Sequence, residues 1–273
     1  MTKILGIVNV TRDSFSDGGR YFKPDAAIAH ARRLIADGAD VIDLGAESTH
    51  PDSEDVSAEE EIERLTPVIR ALKDAGVAVS VDTYKPEVIR RVLELGADYI
   101  NDITALRESE AVAAVRDADA KLILMHSRSS AARAERAAAD PATIVDEIIA
   151  FFERRIAELA AAGVRRERLI LDPGMGFFLG SNPEASLAVL REQERLHALG
   201  LPVLISTSRK SFIGAILGDD QTPRPTNERA AGTLATELWS ALHGSAYIRT
   251  HNARGLRDGL MILDAIKASG RTA

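Results

Sequence analysis

Short polar segments recur along this chain, and each follows an apolar run of about four to six residues, the pattern of a buried β-strand. An amphipathic helical pattern follows most of them. Parallel α/β enzymes keep their reactive groups at the C-terminal ends of strands, so the pattern predicts where an active site lies. The segments are Asn9 to Gly19, Asp43 to Thr49, Asp82-Thr83, Asn101-Asp102, Met125-His126, Asp172 to Phe177, Ser208 to Lys210 and Arg249 to His251.

Three acceptor groups end three of the predicted strands, namely Asp82, Asn101 and Asp172. An ionised carboxylate only accepts hydrogen bonds, whereas an amide both donates and accepts them. Together they would suit a flat heterocycle with several N–H donors. Each could instead cap a helix or satisfy loop amides, and that alternative stays open.

Positive groups follow the last two predicted strands, at Lys210, Arg249 and His251. In barrel enzymes the loops after strands 7 and 8 frequently bind phosphate. Three cationic or donor groups would suit a diphosphate better than a carboxylate. Surface ion pairing, or a Schiff-base lysine at position 210, is the alternative.

The metal prediction is Mg²⁺, because it needs few protein ligands when substrate phosphates supply the others. The chain has no cysteine and no H-E-x-x-H motif, so zinc is not indicated. The polar segment after the first strand carries Phe15, which could cover a bound ring, although an ordinary long loop is equally compatible. His126 could line the pocket or pack in the core.

The elements that position these groups are predicted from hydrophobic periodicity. Strands are expected at 3–9, 40–45, 78–82, 97–102, 121–126, 168–172, 202–207 and 245–250. Helices are expected at 24–38, 57–75, 86–96, 108–117, 141–163, 183–199, 209–217, 226–243 and 253–269. Alternating strands and helices favour a single (β/α)8 TIM barrel over residues 1–273. An open doubly wound sheet would favour a G-x-G-x-x-G loop, and the sequence has none.

Several residues predict where helices begin and end. Asp140 and Asn182 are each followed by proline, the arrangement of a capped first turn. Gly38, Gly96 and Gly163 each precede a predicted strand, as a glycine after the last helical turn does.

Composition narrows the class of protein. The chain has 273 residues, 45% hydrophobic and 27% charged, with a formal net charge of -7, which suits a globular enzyme. There is no basic stripe, so nucleic acid is not an expected partner. No apolar stretch reaches the roughly 18 residues of a membrane span, and no leader peptide is recognised before the first strand. A cytoplasmic location is therefore expected.

In this order the segments resemble the dihydropteroate synthase family, over essentially the whole chain. The resemblance rests on GIVNVTRDSFSDGG at 6–19, 43–51, SVDT at 80–83, INDI at 100–103, LMH at 124–126, LDPGMGF at 171–177, SRK at 208–210 and RTH at 249–251. It implies a barrel enzyme that joins 4-aminobenzoate to 6-hydroxymethyl-7,8-dihydropterin diphosphate, giving 7,8-dihydropteroate and pyrophosphate. A dissociative, SN1-like substitution without a covalent enzyme intermediate is expected.

The resemblance also implies roles for residues at matching positions. The pterin would be held by Asp82, Asn101, Met125, Asp172 and Lys210, with Asp43 in support. The diphosphate would be bound by Asn9, Thr49, Arg249 and His251, with Mg²⁺ on Asn9. The aminobenzoate would be framed by Phe15, Pro51, Phe177 and Ser208. Lys210, Asp82 and Asp172 would be the catalytic residues.

A homodimer through the outer helices near the C-terminus is implied as well. Trp239 and Leu242 are the contacts expected there, unless they simply pack on the barrel.

The chain departs from the usual family motifs at a few positions. Arg12 replaces a proline, His50 an arginine, and Phe178-Leu179 a Gly-Lys pair. The DPGMGFFLG run resembles the sulfonamide-insensitive, mobile-element branch of the family, whereas Thr104 to Leu106 lacks the aromatic insertion of that branch. The hypothesis is a chromosomal-type enzyme related to that branch and still inhibited by sulfonamides.

Two other functions remain open. A pterin-dependent methyltransferase would share the fold and the pterin acids, but it would need no pyrophosphate site. A non-catalytic pterin-binding barrel is the second alternative, since His50 and Leu179 depart from the family motifs.

Overall fold

The computed structural model describes residues 1–10, 24–47, 55–128, 139–219 and 222–269. Within these ranges, no helix combines the length and apolar character needed to cross a membrane.

Eight parallel strands form one sheet in the order β6-β5-β4-β3-β2-β1-β8-β7. They are β1 (Lys3–Asn9), β2 (Val41–Gly45), β3 (Val79–Asp82), β4 (Tyr99–Asp102), β5 (Lys121–Met125), β6 (Leu169–Asp172), β7 (Leu204–Ile205) and β8 (Tyr247–Thr250). The two end strands of this order also meet, because the Leu171 N–H donates to the Pro202 carbonyl at 2.9 Å. The sheet thus closes into a barrel, and the predicted (β/α)8 fold is confirmed.

Helices surround the barrel. They are α1 (Pro24–Ala36), α2 (Ala58–Asp74), α3 (Pro86–Glu94), α4 (Ser109–Arg116), α5 (Ile144–Ala161), α6 (Pro183–Glu192), α7 (Ser211–Leu217), α8 (Ala230–Leu242) and α9 (Ala253–Ser269). Short 3₁₀ helices occupy Arg166–Arg168, Gly176–Phe178, Gln193–Leu199 and Thr226–Glu228.

Several predicted elements differ from the observed ones in their bounds. Helix α8, for example, is predicted from residue 226 but begins at Ala230, after the 3₁₀ helix at Thr226–Glu228. The seventh strand is shorter than expected. Helix α5 begins at Ile144 rather than 141, because the Asp140 carboxylate accepts from the Ala142 N–H at 2.9 Å and stabilises a turn before the helix. The helix predicted at 183–199 changes to 3₁₀ geometry at Gln193, where burial of Gln193 and Leu196, three residues apart, suits a three-residue turn.

The other capping predictions are confirmed. The Asn182 side chain accepts from the Glu184 N–H at 3.0 Å, with Pro183 in the first turn of α6. Gly38, Gly96 and Gly163 have φ angles of 97°, 86° and 87°. This left-handed region favours glycine, so each residue ends its helix without steric cost.

A layer of apolar side chains inside the barrel lies just below the polar strand ends. Its members are Leu5, Val41, Tyr99, Ile123, Ile170, Leu204 and Tyr247. Side chains two residues apart on a strand share a face. Asp43, Asn101, Met125, Asp172 and Arg249 each follow a member of this layer by two residues. The same strands therefore direct these five side chains into the barrel mouth.

At the opposite, N-terminal end of the barrel, two aspartates each accept a hydrogen bond from a backbone N–H of a neighbouring strand. Asp40 accepts from the Ile4 N–H at 2.7 Å, and Asp98 accepts from the Val79 N–H at 2.8 Å. Asp98 also pairs with Lys73 of α2 at 2.7 Å. In both cases a carboxylate caps the start of a neighbouring strand, and in both cases the aspartate ends a Gly-Ala-Asp sequence, at 38–40 and at 96–98.

We predict that Asp98→Ala lowers the free energy of unfolding by about 1–3 kcal/mol, because the Val79 N–H loses its acceptor. Urea unfolding measures this loss. Asp119→Ala is the control, since Asp119 is 98% exposed and pairs only at the surface with Arg165, and its cost should stay under about 1 kcal/mol. Equal losses in the two variants would contradict the role assigned to Asp98.

Candidate active site

The C-terminal ends of the strands bring most of the predicted site residues together. Asp43 ends in the mouth from β2, Asp82 from β3 and Asn101 from β4, while Asp172 and Arg249 come from β6 and β8. Lys210 immediately precedes α7. The grouping predicted for the acceptors is thus observed.

An ion-pair network centred on Arg249 links three of these strands. Its Nε donates to Asp43 Oδ2 at 2.5 Å, and its Nη2 donates to Asp82 Oδ2 at 2.9 Å. Asn101 Nδ2 lies 3.5 Å from the same Asp43 oxygen. Asp43 is fully buried, so the guanidinium compensates a carboxylate that has no access to water. In this structure Arg249 therefore forms ion pairs with two acidic side chains of the site, Asp43 and Asp82.

Burial raises the pKa values of the carboxyl groups of Asp82 and Asp172. The pKa of Asp82 is raised to about 7, against the opposing charge of Arg249, and Asp43 adds to the increase. The pKa of Asp172 is raised to about 6, although a hydrogen bond from the Gly174 N–H and the charge of Lys210 oppose the shift. Both groups would be ionised more fully once N–H donors reach them.

A tight turn after β6 positions Asp172. The Gly174 N–H donates to Asp172 Oδ1 at 2.8 Å, and the His126 N–H donates to the Asp172 carbonyl at 2.8 Å. Gly174 has a φ of 73°, and a Cβ atom there would lie 2.3 Å from the His126 carbonyl oxygen. Glycine is therefore required for the turn to approach β5 this closely.

Lys210 is a half-buried cation beside an aromatic ring. Its Nζ lies 4.7 Å from the centroid of the Phe178 ring, within the range of a cation–π contact. Burial and the charge of Arg249 lower its pKa to about 8, while Asp172 and Asp82 oppose this decrease. Lys210 consequently remains mostly protonated at pH 7.

The turn that carries Lys210 depends on α8 and its preceding loop. Arg209 adopts a positive φ of 60°. Its N–H donates to Thr233 Oγ1 at 3.0 Å, and Arg229 donates to the carbonyls of Arg209 and Lys210 at 2.9 and 3.3 Å. Sequence reasoning missed Arg229 and Thr233, because no local motif marks a contact between residues about 20 positions apart.

His251 does not supply the positive charge predicted from its residue type. Burial and the charges of Arg209, Arg249 and Lys210 lower its pKa to about 3. Its Nδ1 lies 2.9 Å from Ser208 Oγ, which also accepts from the His251 N–H at 3.2 Å. The imidazole is therefore neutral at pH 7 and offers a hydrogen bond instead of a charge.

Apolar side chains form one wall of the site. Met125, Ile103 and Phe178 make a buried cluster, with Phe177 and Tyr84 packed against it. Ile103 and Phe178 were not among the predicted pocket residues. Leu179, at a position where the family usually has lysine, is fully buried in the main core rather than in this cluster. His126 packs edge-on against Phe151 at 5.1 Å, so it belongs to the core.

Several predicted residues lie outside the described ranges, namely Arg12, Phe15, Thr49, His50 and Pro51. Asn9 is described, and it is exposed at the end of β1. Among the described residues, no three His, Asp or Glu side chains group so as to hold a metal ion. The Asn9 carboxamide offers one oxygen ligand, which fits a Mg²⁺ ion whose other ligands are phosphate and water oxygens.

The barrel and its ring of acidic, amide and basic groups define an enzyme class, namely (β/α)8 barrels that bind a polar small molecule at the strand ends. The sequence pattern of the family described as "Pterin binding enzyme" matches residues 5–251. The chain is 49% identical over 267 residues to dihydropteroate synthase type-3 of Escherichia coli, covering 97% of this chain and all of that one. It is 50% identical over 269 residues to the type-2 enzyme of Escherichia coli, covering 98% and 97%.

Solved structures agree with these relatives. The dihydropteroate synthase of Xanthomonas albilineans with 4-aminobenzoic acid has a TM-score of 0.88 and 38% identity, covering 98% of this chain and 93% of that chain. The same enzyme in complex with 7,8-dihydropteroate has a TM-score of 0.84 at 38% identity, covering 98% and 94%. The chain therefore belongs to the pterin-binding enzymes and, within them, to the dihydropteroate synthase family, as the resemblance predicted.

We predict that Gly174→Ala destabilises the protein and weakens pterin binding, because the added Cβ must displace the His126 carbonyl. Gly76→Ala is the matched control, since Gly76 has a similar φ of 70° but nothing within 4 Å of the added atom. The control should cost about 1–2 kcal/mol from backbone strain alone. Urea unfolding and calorimetric pterin titration compare the two, and equal effects would exclude the steric role of Gly174.

Proposed function

We propose that this chain condenses 4-aminobenzoate with 6-hydroxymethyl-7,8-dihydropterin diphosphate, giving 7,8-dihydropteroate and pyrophosphate in folate biosynthesis. The observation that carries the proposal is the convergence of Asp82, Asn101, Asp172 and Lys210 at one end of the barrel. Family membership over almost the whole chain supports the same reaction. The enzyme is a transferase that forms a C–N bond.

The acceptor groups suit the pterin ring. Ionised Asp82 and Asp172 accept hydrogen bonds from ring and amino N–H groups, and Asn101 matches an edge that both donates and accepts. Lys210 donates to a ring acceptor, and Met125 covers a ring face. Asp43 acts through Arg249 and Asn101, which it contacts at 2.5 and 3.5 Å. Fixed donors and acceptors of this kind orient the pterin methylene for reaction.

The reaction follows a dissociative course in this proposal. The methylene–oxygen bond breaks first, pyrophosphate departs with the electron pair, and the remaining cation delocalises into the pterin ring. The amine nitrogen of 4-aminobenzoate then bonds to the methylene carbon and loses a proton. Asp82 and Asp172, as catalytic residues, stabilise the cation, while Lys210 keeps the ring oriented between them.

The diphosphate subsite combines donors from three chain segments. Asn9, Arg249 and His251 are described near the ends of β1 and β8, and Thr49 completes the proposed set. Neutral His251 donates one hydrogen bond to the anion, and an approaching anion would favour its protonation. Mg²⁺ bound through Asn9 would supply positive charge to the leaving diphosphate. Turnover that persists in excess chelator would exclude the metal.

The aminobenzoate subsite lies at the outer rim in this proposal. Phe177 is half-buried and packs against the apolar cluster that contains Met125 and Phe178. The Ser208 hydroxyl oxygen lies 2.9 Å from His251 Nδ1. Phe15 and Pro51 complete the proposed frame. Sulfonamides that mimic aminobenzoate are proposed to inhibit the enzyme. Turnover unaffected by a sulfonamide in large excess over aminobenzoate would contradict that.

A homodimer through the outer helices is also proposed. Trp239 and Leu242 of α8 and Ile216 of α7 are 45%, 47% and 50% exposed, which leaves large apolar side chains on neighbouring helices in contact with water. Such exposure is typical of protein interfaces. A monomer mass in light scattering would exclude the dimer.

Coupled turnover is the first prediction from this function. Pyrophosphate and dihydropteroate should appear in equal amounts with both substrates and Mg²⁺. Lys210→Ala should lower kcat/KM at least about 100-fold, because the donor that orients the pterin ring for reaction is lost. Lys121→Ala is the control, since Lys121 lies at the other end of the barrel, 3.3 Å from the Tyr247 hydroxyl. Pterin binding without either product would favour the methyltransferase or the non-catalytic barrel.

A pH dependence of pterin binding is the second prediction. Because burial raises the pKa of Asp172 to about 6, the protonated form accumulates as the pH falls below that value and cannot accept two N–H donors. Protonation of Asp172 should then lower the affinity for 6-hydroxymethyl-7,8-dihydropterin by up to about tenfold per pH unit. Protonation of Asp82, whose pKa is raised to about 7, should add to this fall. Titration between pH 5 and about 8 measures this. Asp172→Asn should reduce the slope, and an unchanged slope would refute the assignment.

A further inference from the structure

The turn that follows β4 has a strained backbone beside the proposed pterin site. Ala105 and Leu106 adopt φ angles of 56° and 59°. Residues other than glycine enter this left-handed region at a cost in free energy, because their Cβ atom crowds the backbone carbonyl oxygen. Elsewhere in the described part of the chain, no two consecutive residues other than glycine share this conformation. Contacts from the surrounding structure must therefore stabilise the turn.

Asp102, the last residue of β4, stabilises the turn from within. Its Oδ1 accepts from the Thr104 N–H at 2.6 Å and from the Thr104 hydroxyl at 2.7 Å. Its Oδ2 accepts from the Leu106 N–H at 3.1 Å. Asp102 is fully buried, and a buried carboxylate needs donors of this kind. The carboxylate and the turn thus stabilise each other.

Arg155 of α5 stabilises the same turn from outside. Its Nε donates to the Ala105 carbonyl at 2.8 Å, and its Nη2 donates to the Leu106 carbonyl. Its Nη1 pairs with Glu158 at 2.7 Å, three residues further along the same helix. The donors of a guanidinium have a fixed planar arrangement, so contact with two successive carbonyls fixes the orientation of both. The two carbonyls belong to the residues whose backbone is strained.

The turn joins the wall of the site to the main core of the protein. Ile103 packs with Met125 and Phe178 in the buried apolar cluster at the barrel mouth. Ala105 and Leu106, two and three residues later, are fully buried in the main core. A change in the backbone at Ala105 would therefore displace Ile103 from the cluster.

We propose that Arg155 is a positioning residue, which stabilises the strained turn so that Ile103 remains in the wall of the pterin site. The inference rests on the proposed function, in which Met125 of the same cluster covers a face of the pterin ring. Without the guanidinium, Ala105 and Leu106 would relax toward negative φ angles and Ile103 would move away from Met125. The affinity for the pterin would then fall.

The first test compares pterin affinity with turnover. Arg155→Gln should raise the dissociation constant of 6-hydroxymethyl-7,8-dihydropterin about 3–10-fold in calorimetry, because part of the apolar wall is displaced. The KM for the pterin diphosphate should rise by the same factor. The kcat should stay within about twofold, since a wall that contacts the ring equally before and during the reaction affects binding alone.

Arg155→Lys is the milder variant, for use even where Arg155→Gln does not fold. Lysine keeps the positive charge near Glu158 but lacks the planar pair of donors that two carbonyls require. Its pterin dissociation constant should lie between those of the unaltered protein and of Arg155→Gln. Affinity equal to that of the unaltered protein would contradict the role of the guanidinium.

Glycine at position 105 tests the strain itself. Glycine adopts a positive φ without steric cost, so the turn should depend less on the guanidinium. Ala105→Gly combined with Arg155→Gln should therefore recover most of the lost pterin affinity. Ala105→Gly alone should leave the dissociation constant within about twofold of the unaltered protein, because the conformation of the turn is retained.

Arg168→Gln is the matched control. Arg168 is buried as well, and it donates to the carbonyls of Ala120 and Arg116 at 2.8 and 3.1 Å. These contacts lie at the opposite end of the barrel, before β5 and β6, and neither carbonyl belongs to a residue with positive φ. A fall in Tm comparable to that of Arg155→Gln is expected, with the pterin dissociation constant of the unaltered protein.

Three outcomes would overturn the inference: an unchanged pterin dissociation constant in Arg155→Gln, the same increase in Arg168→Gln, or no recovery of affinity when Ala105→Gly is added. An unaltered protein that binds the pterin but forms no dihydropteroate would instead contradict the proposed function. The calorimetric comparison of the variants would still test Arg155 in that case.

Discussion

The barrel geometry brings several acidic side chains together at the C-terminal ends of the strands, and positive charge must compensate them there. Parallel strands end at one rim, so Asp43, Asp82 and Asp172 converge there, with Asp43 and Asp172 buried and Asp82 16% exposed. Arg249 meets this requirement by binding two of them at 2.5 and 2.9 Å, and Lys210 contributes a second positive charge beside Asp172. A carboxylate left unpaired there would cost several kcal/mol. The remaining acceptor capacity is what a ligand rich in N–H donors can use.

The positions of these charges depend on the apolar layer inside the barrel and on two neighbouring turns. The apolar layer with Tyr99 and Tyr247 sets the direction of the strand side chains two residues further on. Gly174 lets the turn after β6 contact β5, and Arg229 fixes the unusual backbone at Arg209. The positive-φ turns thus serve the site by orienting Asp172 and Lys210.

Much of the fold was predictable because hydrophobic periodicity and capping residues act locally. The apolar runs located the strands, and Gly38, Gly96 and Gly163 marked helix ends correctly. The start of α5 was wrong because Asp140 stabilises a turn instead of the helix itself. Residue type alone also assigned a charge to His251, whereas its environment of Arg209, Arg249 and Lys210 keeps it neutral. Contacts between distant segments, such as Arg249 with Asp43 or Arg229 with Arg209, leave no local signal.

The most direct test of the charge-compensation account is the proton balance of pterin binding. Calorimetric titration of 6-hydroxymethyl-7,8-dihydropterin near pH 6, in two buffers of different ionisation enthalpy, measures the protons exchanged. Since burial raises the pKa of Asp172 to about 6 and N–H donors favour the ionised carboxylate, binding should release protons to the buffer. Binding that releases none, or takes protons up, would contradict the claim that buried carboxylates recognise the ring in their ionised form.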